Sequence, residues 1–127
     1  MDKQDIKNSH DMFMYKAKID FNSAKCLLSA YSSDDIEIDV EKIYFELQQS
    51  VEKYLKAQLC LVGVEFPKTH DIERLIIKCQ ESSITLIDEI DRLIELSDYA
   101  VEGRYSIIHD DLNESDKYIT IIEKLFE

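Results

Sequence analysis

Two groups of residues in this 127-residue chain have types and spacings that could do chemistry. His70 and Asp71 are adjacent, an imidazole beside a carboxylate, the combination used for acid–base work or for holding a metal. No further His or Cys is spaced to complete a metal set, and Thr69-His70-Asp71 ahead of an apolar run also matches a helix start. Capping is therefore the favoured role, and no metal is expected. A phosphate meeting the amino terminus of that helix would find Lys68 and Arg74 nearby. The second group is Glu52, Lys53 and Lys56. Glu52 and Lys56 are an i, i+4 pair, Lys53 and Lys56 share a helix face, and Gln48 and Gln49 lie one turn earlier within reach of the same partners. An ion-pair network, on the surface or between helices, is the simplest reading.

Composition narrows what these groups could serve. The 27 acidic and 15 basic side chains leave a formal charge of -12, which opposes unassisted attraction to phosphate backbones and anionic membranes. No DNA or membrane partner is expected. Cys26, Cys60 and Cys79 are widely separated among apolar residues, so they read as small buried hydrophobes in a reducing compartment and not as disulfides. The segment Met1 to His10 is polar and lacks the apolar stretch of a secretory signal, and the apolar run Leu59 to Val64 is too short to cross a bilayer. A cytoplasmic location is the expectation. No glycine-rich phosphate loop, serine-nucleophile setting or Cys-His pair is visible, so phosphotransfer and acyl-transfer enzymes lack their parts, and no cofactor is expected.

The elements that must position these groups follow from hydrophobic spacing. Only two glycines and one proline accompany 45% hydrophobic residues, which predicts an all-α fold of long helices in a single domain spanning 1–127, with a flexible polar stretch at 1–9. A first helix is predicted from about His10 to Tyr31, with Phe13, Ala17, Phe21, Ala24, Leu27, Leu28 and Tyr31 on one stripe. Ser32 to Asp35 is a polar connector, Asp39 caps a second helix, and Gly63 ends it. Pro67 sets an extended segment, and the Thr69 hydroxyl caps a short third helix carrying Ile72, Leu75, Ile76 and Cys79. Ser82 or Ser83 opens a fourth helix with Ile84, Ile87, Ile90, Leu93, Ile94 and Tyr99 inward. Gly103 leaves the following segment unassigned, and Asn113 caps a last helix through Phe126. Four principal helices with short connections predict an up-and-down antiparallel bundle of four to five helices, the short third one being an insert. The second helix is apolar or aromatic around much of its girth, which suggests self-association.

Gln48 to Ala57, Pro67 to Leu75 and Gly103-Arg104-Tyr105, taken in this order and separation, resemble the HEPN domain family. The resemblance covers nearly the whole chain. It implies a small helical bundle, often homodimeric, commonly paired in prokaryotes with a minimal nucleotidyltransferase in toxin–antitoxin-like modules. Some members resemble nucleotide-binding modules, and others are metal-independent ribonucleases that carry an Arg and, a few residues on, a His. Arg104 and His109, with four residues between them, match that spacing and would be the catalytic pair. Histidine could take the 2'-hydroxyl proton and arginine could steady the developing negative charge, with two such pairs meeting across a dimer cleft. Positions five apart lie about 140° around a regular helix, so the pair converges only if the backbone bends near Gly103. Ribonuclease members typically carry a small polar residue after the Arg; this chain has Tyr105, whose hydroxyl could instead be the target of a nucleotide-transferring partner.

Two functions follow from the resemblance. One is a homodimeric module paired with a nucleotidyltransferase and associated with a nucleotide or RNA through Lys53, Lys56, Lys68, His70, Arg74 and Tyr105. The other is a metal-independent endoribonuclease working through Arg104 and His109.

Overall fold

In the computed structural model, residues 2–33, 37–100 and 115–127 are described, and all regular structure among them is helical. A 3-10 turn at Lys3–Asp5 precedes α1 (Ser9–Ser33), α2 (Val40–Leu61), α3 (Ile72–Glu81), a 3-10 helix (Asp88–Tyr99) and α4 (Ser115–Leu125). The expectations for Asp34 and Asp35, for Gly103 through His109, and for Asn113 lie outside the described residues.

Each helix end has a local cause. At the start of α1, the Asn8 side chain accepts from the Asp11 amide while the Asp11 carboxylate accepts from the Lys7 amide. Asn8 thereby serves as the N-cap, and the Asp11 carboxylate ties down the residue before it, so the helix starts at Ser9. Asp39 caps α2 as its spacing predicts, accepting from the Glu41 amide at 3.0 Å. At the other end Gly63, at φ 71°, lets the Gly63 and Val64 amides bond back to the Cys60 and Leu59 carbonyls, which is a Schellman closure.

Helix α2 is the axis of the molecule. It buries Ile43, Tyr44, Leu47, Val51, Leu55 and Leu59 and packs against α1, α3, the 3-10 helix and α4 in turn. Most of its apolar girth, the reason for expecting self-association, is covered within one protomer, while Leu61 and Val62 at its C-terminal end are exposed. Helix α1 lies antiparallel to α2: His10 Nδ1 meets the Ala57 carbonyl, and further along Ser50 donates to the Ala17 carbonyl. Only Ala17, Phe21 and Ala24 of the α1 stripe are fully buried. Tyr31, expected inward, is exposed because it lies at the far end of a helix whose packed stretch ends near Ala24. Cys26 is exposed for a related reason, two positions past Ala24 and so on the opposite side of α1, while Cys79 is buried as expected.

After Gly63 the chain turns back along α2 without regular structure, placing Phe66 over Lys56 and His70 beside Glu52. Helix α3 then runs in the same sense as α2. The 3-10 helix returns, with Ser97 level with Ile72. Helix α4 descends again, Lys124 meeting Glu89 and Phe126 meeting Phe21 and Tyr54. Setting α3 aside, the elements alternate up and down, which is the expected bundle with its insert.

Two expectations about the second half are corrected. Asp71 and not Thr69 is the N-cap of α3; the Thr69 hydroxyl accepts from the Asp71 amide one step outside the helix. Ser82 and Ser83 do not open the next helix but close α3: Ser83 sits at φ 63°, and the Ser83 and Ile84 amides bond to the Gln80 and Cys79 carbonyls. The following helix starts at Asp88 and is wound as 3-10. The apolar sequence explains the winding, because Ile87, Ile90, Leu93, Leu96 and Tyr99 recur every third residue, the repeat that aligns side chains at three residues per turn.

Candidate functional site

The return of the chain along α2 assembles a polar cluster against the middle of that helix. Gln48, Glu52 and Lys56 stand one turn apart, on a helix whose neighbouring Val51 and Leu55 are in the core, so the ladder is drawn inward with them. Glu52 is only 4% exposed. A carboxylate this buried needs donors, and three converge on it: Gln48 Nε2 at 3.1 Å, Lys56 Nζ at 2.9 Å and His70 Nδ1 at 2.9 Å. Burial alone would push the Glu52 carboxyl up, yet the bonds from Lys56, Gln48 and His70, with the charge of Lys56, hold it below its ordinary value. Glu52 is thus an ionised acceptor. Gln48 Nε2 also donates to the His70 carbonyl at 3.0 Å, and Gln49 Nε2 to Gln48 Oε1 at 2.7 Å, which orients the Gln48 amide.

His70 is therefore held twice, through its backbone by Gln48 and through its ring by Glu52. Its neighbour Asp71 turns away to cap α3, so the working partner of this imidazole is the carboxylate 18 residues upstream and not the adjacent one. Since Glu52 can only accept, His70 Nδ1 carries the hydrogen of that bond. The His70 side chain is nevertheless 64% exposed.

Of the predicted site residues, the structure brings Lys56 and His70 together on Glu52. Lys53 goes elsewhere, across to Asp20 of α1 at 2.5 Å, since one residue beyond Glu52 turns it to the α1 side. Lys68 and Arg74 are exposed. Arg104, Tyr105 and His109 lie outside the described residues. The amides that open α3 are already engaged by this chain: Asp71 by Thr69 Oγ1, Ile72 by Ser97 Oγ and Glu73 by the Asp71 carboxylate. A phosphate at this end would draw on Lys68 and Arg74 rather than on these amides.

Sequence reasoning paired Glu52 with Lys56 but missed that Glu52 is the buried hub, and it missed Asp20 and Ser97 altogether. The available signal was the i, i+4 run of Gln48, Glu52 and Lys56 interleaved with core positions. Elsewhere burial pushes the Cys79 thiol up to about 11, so it is a protonated hydrophobe and no nucleophile. No helix among the described residues is long and apolar enough to cross a membrane.

Comparison with known protein families matches the HEPN domain over residues 11–127. No significant match was found among curated proteins or solved structures.

Proposed function

The chain belongs to the HEPN domain family, and from that membership we propose that it acts as a homodimeric helical module paired with a minimal nucleotidyltransferase, in a nucleotide- or RNA-associated toxin–antitoxin-like or stress module in the cytoplasm. The observation that carries this reading is the extent of the match, which runs from the first turn of α1 through α4. The exposed cations Lys68 and Arg74 supply attraction for a nucleotide phosphate on an otherwise acidic protein, whereas Lys53 and Lys56 are engaged by Asp20 and Glu52. Exposed Cys26 and unpaired Cys60 fit a reducing compartment. Co-expression with the adjacent gene tests the pairing. A stable complex, or an added nucleotide on Tyr105 seen by intact mass, is the expected result; separate elution with unshifted mass overturns it.

A second reading is favoured by one specific feature, the four residues between Arg104 and His109. A metal-independent endoribonuclease would use His109 to take the 2'-hydroxyl proton and Arg104 to steady charge on the phosphorane, two such pairs sharing one dimer cleft. RNA cleavage in the presence of a chelator, lost in His109→Ala, is the outcome this reading expects. Equal cleavage by both proteins removes it.

A further inference from the structure

The Glu52–His70 pair lies apart in sequence from Arg104 and His109, and it has a chemical polarity of its own. In the neutral imidazole only one ring nitrogen carries hydrogen, and the contact with an acceptor-only carboxylate assigns that hydrogen to Nδ1. Nε2 is then an acceptor on the outer side of a ring that is 64% exposed, and the buried carboxylate and Gln48 fix its direction. Such a nitrogen cannot bind a phosphate oxygen, because both are acceptors. It takes a ligand that donates.

Within a ribonucleotide chain the donors are the ribose hydroxyls and the exocyclic base amines, and only the hydroxyl recurs at every residue whatever the base. Lys68 and Arg74, two residues before His70 and four after it, are exposed and so available to a phosphate backbone passing His70, although the same stretch also exposes Glu65 and Glu73. We infer that Glu52 sets the tautomer of His70 so that Nε2 accepts a hydrogen bond from a ribose 2'-hydroxyl, making His70 a specificity-determining residue that separates RNA from DNA. This inference rests on the RNA-associated reading above and names the chemical group that such an association would recognise.

A purely mechanical role, in which His70 only fastens the returning chain to α2, is separated from this one by the choice of variant. In His70→Asn the side-chain amide reaches the position of Nδ1 and keeps a donor for Glu52, but it has nothing at the position of Nε2. His70→Ala loses both. Binding of fluorescent single-stranded oligo(U) and oligo(dU) to the full chain at about pH 8, where imidazole is largely neutral, is the measurement. The wild type is expected to prefer the ribose strand, and both variants to lose about five- to tenfold of that affinity while binding the deoxyribose strand unchanged, the loss of one hydrogen bond. Nitrogen-15 spectra of the wild-type histidines should show the Nδ1–H form of His70, with Nε2 shifting on addition of the ribose strand. Wild-type-like binding by His70→Asn, or an Nε2–H tautomer, overturns the inference and leaves the RNA-associated reading standing. Failure of the wild type to bind either strand overturns both.

Discussion

Ser83 occupies at the end of α3 the place that Gly63 occupies at the end of α2. Both are the first residue past the cap, both have positive φ, 63° and 71°, and in both cases the residue's own amide and the one after it fold back onto the last turn. Glycine adopts this conformation without steric cost, whereas a residue with a Cβ is strained by about 1 kcal/mol. Ser83→Gly should therefore raise the unfolding free energy by about 0.5–1 kcal/mol, and Gly63→Ala should lower it by about 1 kcal/mol, as read by urea denaturation. No atom lies within 4 Å of a Cβ built at Gly63, so the loss there would be backbone strain and not a clash.

Glu52 should make stability depend on acid. Its folded-state carboxyl titrates below the ordinary value of 4.5, so its stabilisation is complete above that value and fades as the pH falls through the lower folded one. Glu52→Gln is expected to cost about 2–4 kcal/mol at neutral pH, because Lys56 and His70 lose an ionised acceptor in a buried site. The gap between wild type and variant should narrow steadily below about pH 4.5. Thermal unfolding across a pH series checks this, and a gap that widens in acid would contradict it.

Lys53 and Lys56, three residues apart, should respond differently to the same substitution. Lys56 is 13% exposed, bonds a nearly buried carboxylate and lies 5.4 Å over the Phe66 ring; Lys53 is 24% exposed and meets a partner at 16%. Lys56→Met should cost about 2–3 kcal/mol and Lys53→Met less than about 1 kcal/mol. Raising the salt concentration should erode the Lys53 contribution first, which urea titrations at two ionic strengths would show.

The sequence revealed much of this arrangement where a residue type has one dominant reason to be present. Asp39 and Gly63 were readable because few residues cap a helix or take positive φ well, and the repeats of α2 and α4 were readable because their buried positions fall at three- and four-residue steps. Ser82 and Ser83 misled because serine serves at either end of a helix, and only the bonds from Ser83 and Ile84 back to Gln80 and Cys79 decide which. The three-residue spacing of Ile87, Ile90, Leu93, Leu96 and Tyr99 lies in the sequence throughout, but 3-10 runs this long are uncommon, and Ile94 turns the strict repeat into one that an ordinary helix also fits. For the polar cluster the i, i+4 ladder was legible and its partner was not: the meeting of His70 with Glu52 depends on the chain folding back after Gly63, and local spacing does not encode that path. Asp20 and Ser97 were hidden for the same reason, each contributing one contact to a helix distant in sequence.

The winding of the Asp88–Tyr99 segment also fixes a length. Twelve residues rise about 24 Å as a 3-10 helix and about 18 Å as an α-helix, so the tighter coil makes this strut some 6 Å longer than the same residues would otherwise reach. That extra span lets Glu89 meet Lys124 near one end while Ser97 holds the Ile72 amide near the other. Between Glu89 and Ser97, rewinding to the α form would draw the two anchorages about 4 Å closer and turn them to different faces of the strut, so the spacing between the two ends of the bundle is set by helical pitch as much as by residue count.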